Sequence, residues 1–99
     1  MILIRNTFNL KFGKAKEATA AVKEMVAIHR KAGSKFGYRI MTDLSGRFYT
    51  VVLEITAPSL SVWEAEMPGS MANPDFQAAY QKLMPAIESG ERQIFNIVE

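Results

Sequence analysis

The sequence has no cysteine and a single histidine. The first absence removes disulfides, thiolate zinc sites, iron–sulfur clusters and thiol nucleophiles, and the second removes any site that needs two imidazoles. No apolar run reaches the roughly 18 residues that suggest a membrane span. The start, MILIRNTFNL, turns polar at Arg5, which does not suit a signal peptide. A soluble, cytoplasmic protein that does not engage a membrane is therefore expected. P-loop, G-x-G-x-x-G, H-E-x-x-H and G-x-S-x-G patterns are also missing, and no spacing supports a Ser–His–Asp site using His29 with Asp43 or Asp75.

What remains suits one domain over residues 1–99. A chain this short buries only about 60–70% of its unfolded surface, so self-association would add stability. Charge is informative through its distribution. The net +2 arises from a basic first half, with ten Lys/Arg against three Asp/Glu up to Arg47, and an acidic second half with two against seven. The basic residues fall on an expected helix face and its flanking loops without interleaved aromatics. They read as a solvated face rather than a nucleic-acid surface.

Alternation from Ile2 to Phe12 predicts a strand with Ile4, Asn6, Phe8 and Leu10 on one side. After Gly13, Ala18, Ala21, Val22, Met25, Ile28, His29 and Ala32 recur at helical spacing up to Gly33. The runs KFGYRIMT and FYTVVLEIT, linked through Asp43–Arg47, predict a hairpin. SLSVWEAEM has a capping-box spacing from Ser61 to Glu64 and predicts a short helix ended by Pro68 and Gly69, with EMPGSMAN as a connector or lid. Asn73, Pro74 and Asp75 then form a strong helix start, and Phe76, Ala79, Tyr80, Leu83, Met84 and Ile87 make an inward stripe. Pro85 should loosen the last turn, and Gly90 should separate it from a final strand, Arg92–Val98.

The order βαββαβ predicts an α+β, ferredoxin-like domain: a four-stranded antiparallel sheet with both helices on one face. The third strand is largely apolar on both sides, so the open face requires cover, and a homodimer supplies it. Through this order, and locally through RNTFNLKFGKAKE, TDLSGRFYTVVLEI and NPDFQAAYQKL, the chain resembles the dimeric α+β barrel superfamily. Its antibiotic-biosynthesis-monooxygenase-like and NIPSNAP-like families are the nearest in character. The resemblance implies a homodimeric barrel with a small pocket between sheet and helices in each subunit. It also implies activities that range from cofactor-independent monooxygenation to isomerisation, haem degradation or none. Haem-degrading members carry a first-strand Asn, matched by Asn6. Tyr80 stands where their last-helix His ligand would be, and Glu66 where their tryptophan falls by ungapped counting. These departures point away from haem degradation. The expected cofactor is none, with haem left open through the Tyr80 phenol.

Four residues are candidates. The Asn6 amide, flanked by Ile4 and Phe8, holds a substrate carbonyl or oxyanion, or else bonds to backbone or to Asn96. His29 is either a general base or a structural, half-exposed histidine near a helix C-terminus. Trp63 and Tyr80 wall a ligand pocket or simply fill the core. Met25, Met67, Met71 and Met84 could line such a pocket. Arg5 and Arg39 could clamp an anion or pair with Glu54. The catalytic reading has His29 deprotonating a small aromatic or conjugated substrate while Asn6 holds the resulting oxyanion. The rival is a non-catalytic ligand-binding or interaction module.

Overall fold

A computed structural model describes Met1–Glu99. Its elements are β1 (Ile2–Leu10), α1 (Ala15–Lys31), β2 (Gly37–Thr42), β3 (Thr50–Ala57), α2 (Leu60–Ala72), α3 (Pro74–Leu83), a 3-10 turn (Met84–Ala86) and β4 (Ile87–Asn96). The strands form one antiparallel sheet in the order β2-β3-β1-β4, with β1 in the interior. This is the expected ferredoxin-like α+β fold. No helix is long and apolar enough to cross a membrane.

Period-2 burial decides which residues face the helices. Ile2, Ile4, Asn6 and Leu10 of β1 are buried, as are Val51, Leu53, Ile55 and Ala57 of β3. Against them lie Ala18, Ala21, Val22, Met25 and Val26 of α1, and Phe76, Ala79 and Leu83 of α3. Small residues at Ala18, Ala21 and Ala79 let the two helices approach each other and the sheet closely. The start of α3 follows its sequence signals. Asn73 Oδ1 accepts from the backbone N–H groups of Asp75 and Phe76, and Pro74 takes the first helical position.

Four local expectations are corrected. β1 stops at Leu10, and Phe12 is 79% exposed, packed edge-on against Tyr49 instead of continuing the apolar face. The hairpin connection spans residues 43–49, because Thr42 pairs with Val51 and Tyr49 sits at a left-handed φ of 57° that ends the strand's alternation. α2 runs through Pro68 and Gly69 to Ala72, capped by Ser59 rather than Ser61, so EMPGSMAN is helix and not a loop. A proline inside a helix costs about 3 kcal/mol. Burial of Trp63 and packing of Met67 on the core offset that cost. Finally, β4 begins at Ile87, and Gly90 lies inside the strand. A Cβ there would stand 3.1 Å from the Thr7 carbonyl oxygen, so glycine permits the close pairing with β1.

The helix-free face of the sheet carries one buried charge. Glu54 is 3% exposed and receives Arg5 Nε at 2.8 Å and the Arg39 guanidinium at 2.5 Å. The two strand arginines thus pair with Glu54 rather than with a ligand. The Arg39 hydrogen bond, with Arg5 assisting, holds the Glu54 carboxyl below the ordinary carboxylate range against the opposing effect of burial. A depressed folded-state value means the charged form stabilises the fold. That contribution is complete above about pH 4.3 and is lost as pH falls through the folded-state value. Glu54→Gln should therefore lower stability near neutrality by roughly 2 kcal/mol, a modest figure because both arginines can return to water. Denaturant titrations of the two proteins should converge in acid. A gap that is the same at both pH extremes would contradict this origin.

Candidate functional site

β1 and β4 pair so that Asn6 stands opposite Arg92, and β1 and β3 so that Asn6 also stands opposite Leu53. All three side chains point toward the helices. There they meet a cavity of about 280 Å³ between sheet and helix layer, most of whose lining residues are hydrophobic. This is near the small end of ligand pockets, which run from about 300 Å³ upward. Asn6, Phe8, Tyr38, Leu53, Ile55 and Arg92 form its sheet side, and Met25, His29, Trp63, Met67, Phe76 and Tyr80 contribute from the helices. The four residues singled out from sequence thus border one cavity. Met25, Met67 and Met71 line it too, whereas Met84 is exposed and outside it.

Asn6 is 8% exposed, and its Oδ1 accepts from Arg92 Nε at 2.7 Å. Arginine can only donate, so this bond assigns the oxygen and leaves Nδ2 pointing elsewhere. Nδ2 makes no bond to protein, and no sealed side-chain nitrogen or oxygen lacks a partner. The amide N–H groups therefore reach the cavity. The expected partner Asn96 lies at the strand end opposite Ile2, too far along β4 to serve.

His29 stacks on Tyr38 at 5.6 Å between ring centroids and meets Phe76 edge-on at 5.1 Å. Ser70 Oγ lies 3.2 Å from its Nδ1 and donates to the Glu66 carbonyl 3.4 Å away. When the hydroxyl proton is directed to that carbonyl, Nδ1 carries the imidazole hydrogen and Nε2 keeps its lone pair; Nε2 has no protein partner in either tautomer. Burial pushes the imidazole below its ordinary value, while the Glu66 carboxylate pulls the other way. The neutral imidazole is thus the favoured form at physiological pH.

Behind it runs a chain the sequence did not reveal. The Tyr38 hydroxyl and Ser34 Oγ are 2.7 Å apart, and Ser34 Oγ donates to Glu66 Oε2 at 3.4 Å. Burial raises the Tyr38 phenol above its ordinary value, so it remains protonated. His29, Ser34, Glu66 and Ser70 also border a second, more polar recess of about 350 Å³ at the C-terminal end of α1. His29, Glu66, Ser70 and Phe76 thus border both recesses. Tyr80 answers differently from a core residue: it is 37% exposed, stacked on Phe76 at 6.4 Å, and its hydroxyl makes no protein bond. Trp63 is buried with Arg92 over its ring at 5.0 Å.

No family model matches the sequence, and no curated protein matches it either. Solved structures do. A NIPSNAP family protein from Agrobacterium tumefaciens superposes with a TM-score of 0.81 at 23% identity, over 96% of this chain and 90% of that one. A NIPSNAP domain protein from Burkholderia xenovorans gives 0.73 at 21%, over 99% and 95%. An antibiotic biosynthesis monooxygenase gives 0.77 at 13%, over the full length of both chains. This chain has their fold. At such identities the likeness concerns architecture and leaves the chemistry to the residues at the cavity.

Because His29 is the single histidine, its titration can be followed without assignment. Its NMR ring signals should shift with a midpoint below about 6.5, the ordinary value. A lowered folded-state value stabilises the fold fully above that pH, and the contribution should fade as pH drops from about 6.5 to the folded-state value. A midpoint at or above the ordinary value would contradict the buried, neutral imidazole.

Proposed function

We propose that this protein binds a small aromatic or conjugated molecule in the cavity and removes a proton from it, His29 Nε2 acting as base. The observation that carries the reading is that Asn6 Nδ2 and His29 Nε2 are both unpartnered at one cavity with mostly apolar walls. A packing role would have these groups satisfied by protein, and the Tyr80 hydroxyl with them. As the proton leaves a phenol or a carbon acid, negative charge grows on the substrate oxygen. A fixed amide donor in a water-poor site stabilises that charge more than the neutral ground state. Asn6 is held ready by Arg92, so little reorganisation is required. Trp63, Phe76 and Tyr80 orient the ring.

The anion formed has two fates. Returned to a different carbon, the proton gives an isomer. Reaction of a phenolate with dioxygen gives a quinone and water, the reductant being the substrate itself. The fold shared with an antibiotic biosynthesis monooxygenase favours weighing the second fate equally. No resident cofactor is required for either.

The working unit is proposed to be a homodimer. The chain is a slab 18 Å thick with helices on one face only. Its other face presents Leu3, Met41, Val52 and Phe95 around the Arg5–Glu54–Arg39 group, without cover from within the chain. The acidic and basic halves suit attraction between copies.

Deuterium uptake from D2O into cyclic 1,3-diketones and oxygen consumption with hydroquinones test the chemistry. Wild type should accelerate at least one of them. His29→Gln should lower that rate by about 100-fold, in line with losing a general base, and Asn6→Ala should do so by a similar factor with the fold retained. Rates unchanged in both variants would remove the catalytic assignment. Retained ligand binding with no turnover in wild type would support the non-catalytic binding module.

A further inference from the structure

Arg92 is an exposed strand arginine at the border of the inner cavity, and it is held from two sides. Its Nε donates to the buried Asn6, and its guanidinium lies over the buried Trp63 ring. Neither of the two Nη nitrogens makes a hydrogen bond to the protein. Arg92 also takes part in none of the chain's ion pairs, which join Arg5 and Arg39 to Glu54, Lys14 to Glu17 and Lys82 to Glu24. It thus differs from the two other strand arginines, whose charge is balanced on the opposite face.

An arginine so held is a donor-only fork beside the donor-only edge of the Asn6 amide. That end of the cavity offers several N–H groups and no acceptor. The other end holds the Glu66 carboxylate, which accepts from Ser34, itself hydrogen-bonded to the Tyr38 hydroxyl. A negative group is therefore favoured near Arg92 and disfavoured near Glu66, which gives the cavity a polarity along its length. Between the two ends the walls are Leu53, Ile55, Met67 and Phe76, suited to a flat apolar body.

We infer that the ligand of this cavity is a small conjugated carboxylate, its carboxylate paired with Arg92 Nη and its apolar body directed toward His29. Asn6 Nδ2 is left to the neighbouring carbonyl or phenol oxygen, where charge develops. The inference rests on the pocket reading above and adds the charge and orientation of what binds.

Trp63 is the sole tryptophan, so its fluorescence reports events under Arg92 directly. Wild type is titrated with benzoate and with benzamide, its neutral isostere, and the titrations are repeated with Arg92→Gln, which can still donate to Asn6, and with Arg92→Lys. Benzoate should bind about tenfold or more tightly than benzamide, as expected for a charge-assisted fork. The Gln variant should lose that preference while benzamide affinity stays within about twofold, and Lys should recover only part of it. Equal binding of the two probes to wild type, or a preference that survives Arg92→Gln, would overturn the inference. Benzamide binding without a benzoate preference would do so while leaving the pocket intact, whereas binding of neither probe would count against both readings.

Discussion

β1 is hydrogen-bonded along both edges, to β3 and to β4, and its register against them determines which side chains meet under the helices. In that register Ile4 lies between Ile55 and Ile94, and Asn6 between Leu53 and Arg92. A slip of one residue would turn Asn6 to the open face and carry Arg5 into the core, since side chains alternate with period two. Burial of Ile2, Ile4 and Leu10 under α1 and α3 makes such a slip expensive. The apolar stripe thus holds the polar residue in place. The chemistry of the cavity is a by-product of packing around it.

The two faces of the sheet treat polar groups differently. On the helix-free side, Glu54 has its charge met by two arginines, and nothing is left over for a ligand. On the helix side, Asn6 has its oxygen met and its N–H groups free, and His29 has Nδ1 met and Nε2 free. Half-satisfied groups beside apolar walls are costly in a packed core, where each unpaired donor or acceptor costs about 1–3 kcal/mol. They are tolerated where a cavity admits water or ligand. That contrast, more than the fold shared with NIPSNAP proteins, is what directs attention to this side.

Much of the architecture was legible in the sequence because it rests on local signals. Spacing placed α1, the triad Asn73–Pro74–Asp75 opened α3 as expected, and alternation placed Asn6 inward. What misled were residues whose local tendency is overridden by distant packing. Pro68 and Gly69 read as a break, yet α2 passes through them because Trp63 and Met67 are anchored on the core. Phe48 read as strand, yet it is 73% exposed in the hairpin connection. At the site, Asn6, His29, Trp63 and Tyr80 could be named from type and position alone. Arg92 could not, because its role depends on the β1–β4 register, which brings together residues 86 positions apart. The Tyr38–Ser34–Glu66 chain depends likewise on how α2 crosses the end of α1. Tyr80 was placed on the inward stripe by spacing, but α3 is short and its second turn lies at the cavity rim.

The central claim is that two copies of this chain, joined through their helix-free faces, each hold a small molecule between sheet and helices. Native mass spectrometry of the protein as purified addresses both parts at once, because it reports subunit number and retained mass together. The account predicts a dimer that carries or takes up one small molecule per subunit. A monomer that retains nothing and gains no mass with either aromatic probe would contradict it.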